Sequence, residues 1–213
     1  MKKFVPLLRT LCVREKRNNR RLKLDLNHIV NKGWQESHND TATFLFVKAM
    51  NNLNLERINE NAPYQVIQVG ESPCLLYFHT EFEVDYEIVI KSNNVLIPTG
   101  AYALDIINIE HQPSPGDPKF KETLLAIVEE FFLQNNDVML YVTETKDSKQ
   151  AFRNRLFVRW FNTYKYRDRF FIKTAEGKME GQMNFMAIIS RKDNPNLQKA
   201  IEEFDETIAF LFD

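Results

Sequence analysis

The stretch His79-Thr80-Glu81-Phe82-Glu83-Val84-Asp85-Tyr86-Glu87-Ile88-Val89-Ile90 alternates cleanly. Phe82, Val84, Tyr86, Ile88 and Ile90 fall on one side, and Glu81, Glu83, Asp85 and Glu87 on the other. A period of two marks a strand, because successive side chains leave opposite faces. It predicts a sheet with one buried and one wet face, as antiparallel sheets commonly have. The same period extends outward. Strands are predicted at 64–69, 74–79, 84–91 and 101–110. Gly70-Glu71-Ser72-Pro73, Thr80-Glu81-Phe82-Glu83 and Ser92-Asn93-Asn94 separate them.

Past residue 110 the period becomes helical. Asp117-Pro118 supplies an N-cap and a proline at the first helical position. Phe120, Leu124, Ile127, Val128 and Phe131 then repeat at helical spacing as far as Asn135-Asn136. Residues 138–143 read as a buried strand. A second helix is predicted over 147–162, with Asp147 as cap, Gln150 as the return partner of a capping box, and Phe152, Leu156 and Trp160 along its core face. Residues 169–174 and 182–190 are expected to pair as a hairpin around Glu176-Gly177. Asn194-Pro195 opens a last helix carrying Leu197, Ile201, Phe204, Ile208 and Leu211 on one side. The fold class is therefore α+β, a mainly antiparallel mixed sheet with three flanking helices in the order ββββ-α-β-α-ββ-α. The strand–helix–strand unit at 101–144 allows one right-handed crossover.

Composition agrees with a packed core: 44% of the 213 residues are hydrophobic, 27% charged, and 17 are Phe, which excludes a chain disordered throughout. The net charge of −1 hides an asymmetry, since residues 1–24 hold nine Lys/Arg against Glu15 alone. We read 1–60 as a basic, partly helical segment and 62–213 as the α+β domain, with Asn59-Glu60-Asn61-Ala62-Pro63 as the linker. Phe4, Leu7, Leu8 and Leu11 suggest a helix over 3–16, and Asn39-Asp40 caps a second one holding Phe44, Val47 and Met50. The start resembles a signal peptide, but Arg9 breaks its apolar run and further cations follow, so it is read as no signal. No apolar run reaches the ~20 residues of a membrane span. Cys12 and Cys74 match no metal spacing, and a reducing cytoplasm is the expected setting.

Residues 64–213 resemble a small bacterial family catalogued as domain of unknown function 6169. The resemblance is carried by Tyr77-Phe78-His79-Thr80 with Tyr86 and Ile88, by Asp117 with Thr123, and above all by 140–161. That stretch places Leu140, Asp147, Gln150, Arg153, Arg155, Phe157, Trp160 and Phe161. Asn194-Pro195 with Phe204 also fits. It implies a domain and no activity. The element order is also similar to that of the GNAT-type acyltransferases. In those, the loop entering the first of these helices resembles a backbone cradle for pyrophosphate. Here the loop is Gln112-Pro113-Ser114-Pro115-Gly116-Asp117-Pro118, whose prolines remove N–H donors and whose Asp117 repels phosphate.

Four groups of residues suggest chemistry. Residues 149–169 contain seven cations against Asp168, interleaved with Phe152, Phe157, Trp160, Phe161, Tyr164 and Tyr166. Cations bind phosphate and exposed aromatics stack on bases, although a helix with an aromatic core face and a solvated basic face has the same pattern. The candidate anion or partner contacts are Arg153, Arg155, Arg159, Arg169, Asp147, Gln150 and Trp160, with the helix cap as the structural role of Asp147 and Gln150. Glu144-Thr145-Lys146 with Asp105 or Asp117 has the outline of a Mg²⁺-dependent nuclease site, matched equally by a solvated strand end. The row Glu81, Glu83, Asp85, Glu87 reads as the wet side of the sheet, able to receive a cation, a basic partner or the basic arm. His28, His38, His79 and His111 form no metal or nucleophile motif, and no Walker loop is present.

The sequence thus points to an uncharacterised cytoplasmic binding module that uses a basic-aromatic helix surface, with no cofactor, no metal and no membrane partner. Its expected partner is an anionic ligand or nucleic acid, met through Arg153, Arg155 and the 1–24 arm. An acyltransferase-like enzyme and a nucleic-acid-binding protein are the alternatives.

Overall fold

The computed structural model describes residues 50–70, 75–111, 115–143, 150–179 and 182–212. The basic arm, the helices expected near 3–16 and after Asn39-Asp40, Asp147, Glu144-Thr145-Lys146 and both cysteines lie outside them. The chain order is α1 (Leu55–Asn61), β1 (Ile67–Gln68), β2 (Leu75–His79), β3 (Asp85–Ser92), β4 (Ala101–Asn108), α2 (Pro118–Gln134), β5 (Val138–Val142), α3 (Gln150–Thr163), β6 (Phe170–Met179), β7 (Gln182–Arg191) and α4 (Leu197–Phe212). The expected succession ββββ-α-β-α-ββ-α is present, with α1 ahead of it.

The seven strands form one mixed sheet in the order β1-β2-β3-β4-β5-β7-β6. All neighbours are antiparallel except β4 and β5, the pair joined through α2. Alternation within single strands splits the core in two. Met139 and Ile189 join Phe78, Ile88, Ile90, Ile127 and Phe131 on the face packed by α1, α2 and α3. Val138, Leu140 and Ile188 point the other way, to Ala200 and Phe204 of α4. Each fully buried Phe or Ile contributes ~2–3 kcal/mol by leaving water.

Caps set the helix ends as their residue types require. Asp117 accepts from the Lys119 amide at 2.9 Å with Pro118 following, and Asn135 closes α2 with its N–H on the Phe131 carbonyl at 2.8 Å. Asn194 accepts from the Asn196 amide at 2.9 Å ahead of α4. Residues 50–61 pack onto α2: Met50, Leu53 and Ile58 join the first core. Buried Glu130 receives the Asn54 amide at 3.0 Å, the Arg57 guanidinium at 3.1 Å and the Gln134 amide at 2.8 Å.

Three local expectations are corrected. Phe82 does not share the buried face of Val84, Tyr86, Ile88 and Ile90, because the chain turns between Thr80 and Val84 and leaves Phe82 43% exposed in the loop. Phe152 is 58% exposed, and α3 packs instead through Phe157, Trp160 and Phe161. The hairpin does not turn at Glu176-Gly177. Gly177 sits inside β6 opposite Asn184, and the ladder runs on to Met179↔Gln182. The requirement for glycine there is close approach, since a Cβ would lie 2.2 Å from the Phe212 ring.

Gly177→Ala should therefore destabilise the domain by about 1–3 kcal/mol through overpacking, and combining it with Phe212→Ala should recover most of that loss in urea unfolding. Equal losses in both backgrounds would refute the contact. Glu130→Ala, which strands the Asn54 amide, should cost about 1–3 kcal/mol in the same assay.

Candidate anion-binding surface

The fourteen residues of α3 divide by turn geometry. At 100° per residue, Phe152, Arg155 and Arg159 fall on one side, and all three are exposed. Arg153 lies on the other side, half-buried near Tyr141. Burial raises the Tyr141 hydroxyl to about 12, and the Arg153 charge pulls against that shift. The Tyr141 ring stacks on Phe157 with centroids 4.3 Å apart. Gln150 is buried and its amide reaches the Met183 carbonyl of β7 at 3.5 Å. Trp160 is half-buried against Phe120, at 5.9 Å between ring centroids.

After α3 the chain enters a single 3₁₀ turn, Arg167–Arg169. Arg169 lies over the Tyr166 ring at 4.8 Å and Lys165 over the same ring at 4.6 Å. The Tyr164 hydroxyl donates to Glu129 at 2.6 Å, and burial together with that bond raises its pKa strongly. Arg153 thus lies near the start of α3 and Arg169 in the turn beyond its end, with about 15 Å of helix running from Arg153 to Thr163. Of the candidate residues, Arg155 and Arg159 form an outward strip on α3 beside Phe152 with Arg169 at its exit, whereas Arg153 lies on the other side, Gln150 is buried and Trp160 is turned to the core.

The amino end of α2 is closed by the chain itself. Asp117 caps the helix and also accepts from the Tyr64 hydroxyl at 2.9 Å. Burial first, then this bond, raises Tyr64 to about 12. A carboxylate therefore stands where a helix terminus would otherwise attract phosphate. Lys119 is engaged by Glu81 across the β2–β3 turn. Among the described residues no group of three or more His, Cys, Asp or Glu side chains is arranged to hold a metal ion, and no helix is long and apolar enough to cross a membrane.

One polar cluster was not apparent as a motif. On the sheet face away from α2, Asp85 accepts from the Tyr77 hydroxyl at 2.6 Å and meets His79 Nδ1 at 2.7 Å, while His79 Nε2 lies 3.5 Å from Glu83. The signal was in the turn: closing the hairpin between Thr80 and Val84 sets His79 opposite Asp85. Glu83 takes the left-handed backbone conformation there (φ 56°). The bond to Asp85 raises His79 above its usual 6.5, and the Tyr77 and His79 bonds lower Asp85 below 3.8. The histidine contribution is complete below 6.5 and fades as pH rises through the folded value. The aspartate contribution is complete above 3.8 and fades as pH falls. Both act together between those limits. Proton NMR titration should place His79 above 6.5, and Asp85→Asn should return it toward that value. A His79 midpoint unmoved by Asp85→Asn would refute the pairing.

Residues 116–206 match the sequence model of a family described as a family of unknown function (DUF6169). No curated protein matches. Among solved structures, a CoA-dependent acyl-homoserine lactone synthase, MesI, is weakly similar, with a TM-score of 0.32 and 12% identity over 67% of this chain and 73% of that one. The family resemblance read from the sequence is thus supported from the entrance of α2 to the middle of α4, with β1–β4 lying ahead of the matched span.

Proposed function

We propose that the domain is a binding module that takes an anionic partner on the outer side of α3 and on the turn that follows it. The observation that carries this reading is an imbalance in ion pairing. Arg57, Lys91, Lys119, Lys173 and Arg191 each meet a carboxylate. Arg155, Arg159, Lys165 and Arg169 meet none among the described residues, and all four are exposed. Clustered cations without counter-charges raise the local positive potential and attract polyanions. The exposed Phe152 adds an apolar contact among them.

A second reading, an acyltransferase-like enzyme, draws on β4 and β5, the parallel pair among the described strands. Its register spans Ala101↔Val138 to Ala103↔Leu140, whereas β4 continues to Asn108 and β5 to Val142. The strands part beyond that point, and ligands favour the carboxyl ends of such a split. Against a coenzyme A pyrophosphate stands the Asp117 carboxylate at the α2 terminus.

Binding of a 20-residue oligothymidylate and of a polyglutamate peptide, each followed against salt, tests the first reading. Affinity should fall linearly on a log–log plot, and Arg155→Ala with Arg159→Ala should flatten the oligothymidylate slope by about 0.7 per lost phosphate contact. Absence of salt dependence for both probes would overturn it. Titration calorimetry with acetyl-coenzyme A tests the second, for which heat is required and silence at high micromolar concentration is fatal.

A further inference from the structure

The β6 strand lies at one edge of the sheet and is ten residues long. Its pairing with β7 is unbroken from Phe170↔Arg191 to Met179↔Gln182. The Lys192 amide donates to the Arg169 carbonyl at 2.9 Å, one step before this register begins. Hydrogen-bonded and non-hydrogen-bonded pairs alternate in an antiparallel ladder. Odd-numbered residues of β6 therefore direct N–H and C=O toward β7, and even-numbered ones direct them out of the sheet. The opposite side of β7 agrees: Phe185, paired with Glu176, gives its carbonyl to the Thr143 amide beside β5 at 3.0 Å.

The Phe170 amide is taken up by the Arg167 carbonyl. The N–H and C=O groups of Ile172, Thr174, Glu176 and Lys178 have no hydrogen-bond partner among the described residues. Proteins usually blunt such an edge with proline, a bulge or charge. Here there is neither proline nor bulge over Phe170–Met179, Lys173 is turned to Asp205 of α4 at 2.6 Å, and the exposed charges along the strand, Glu176 and Lys178, are of opposite sign. The exposed cations Lys165, Arg167 and Arg169 stand immediately before the strand, opposed by Asp168.

We propose that β6 accepts an extended peptide as an eighth, antiparallel strand, with the acidic carboxyl end of that peptide against Lys165, Arg167 and Arg169. Antiparallel addition brings the carboxyl end of the incoming strand to Phe170, and main-chain bonds supply affinity in this mode of recognition. A second copy of the chain is a poorer fit. The twofold register that pairs every outward residue centres on Thr174 and opposes Phe170 with Lys178 of the other copy, which brings a further cation rather than a carboxylate to that end of the edge. The choice of an acidic partner rests on the cationic surface proposed above, whereas the open edge does not.

The test uses a dodecapeptide of alternating threonine and valine ending in Glu-Glu with a free carboxylate, and reads amide hydrogen exchange by NMR on the full chain. The amides of Ile172, Thr174, Glu176 and Lys178 should exchange fast in the free protein. They should slow at least about tenfold at saturation, with the odd-numbered amides unchanged. A version of the peptide N-methylated at its β6-facing amides should give no slowing. Thr174→Pro removes an outward N–H without touching the β6–β7 ladder, so it should abolish binding in a protein that still folds. Arg167→Ala with Arg169→Ala should weaken binding several-fold, and a Lys-Lys ending should do the same. Outward amides already slow in the free monomer, or slowing that follows dimerisation, would overturn the proposal. A peptide that perturbs only α3 would overturn the edge while sparing the cationic surface. Edge protection indifferent to charge would overturn the acidic partner and the cationic reading together.

Discussion

A seven-stranded sheet has two faces to cover, and this chain covers them unequally. Among the described residues, α1, α2 and α3 contribute to the core on one face, and α4 packs the other, over the part built from β5, β7, β6 and the start of β4. Apolar residues on both sides of β5 are possible because both sides are packed: Met139 and Leu140 are buried in different cores. The outer face of β2, β3 and β4 has no such helix among the described residues, so its side chains must satisfy one another or water. Tyr77, His79 and Asp85 do so, as do Lys91 and Asp105 at 2.6 Å.

Much of this was legible in the sequence because period and caps are local. The alternation through Tyr86 and Ile90 located β3, and Asp117-Pro118 with Leu124, Ile127 and Phe131 located α2. What escaped was set by pairing and packing. Phe82 has the parity of the buried face, yet the Thr80–Val84 turn interrupts the strand beneath it. Glu176-Gly177 has the composition of a turn, but a second Glu-Gly follows at 180–181, between the paired Met179 and Gln182. Gly177 answers to Phe212, thirty-five positions away, which no local reading can see. On α3 the spacing of Phe152, Leu156 and Trp160 suits a core stripe equally well as the Phe157, Trp160 and Phe161 stripe that packs, and periodicity alone does not choose between them.

The acidic residues of the described domain are largely occupied with structure. Glu130 ties Asn54 and Arg57 to α2, Asp117 caps the same helix, and Glu203 holds the Thr99 amide at 2.8 Å. A carboxylate at the α2 terminus stabilises the helix dipole and for that reason competes with any phosphate brought there. The same distribution leaves Arg155, Arg159, Lys165 and Arg169 with no ion pair among the described residues, so much of the acidic charge that helps hold the fold lies away from the part of α3 that meets solvent.

The strip on α3 and the open edge of β6 meet at the turn from Tyr164 to Arg169, and that turn is firmly held. The Arg167 and Arg169 amides donate to the Tyr164 and Tyr166 carbonyls at 3.2 and 3.0 Å, and the Arg167 guanidinium reaches the Asn162 carbonyl at 2.8 Å. Tyr164 in turn is fixed to Glu129 of α2. Cations carried on a fixed turn lose less conformational freedom when they meet a partner than cations on a loose loop. A ligand running from the strip onto the edge would find its charge contacts and its main-chain contacts in one fixed relation, which is the condition for the two to reinforce each other.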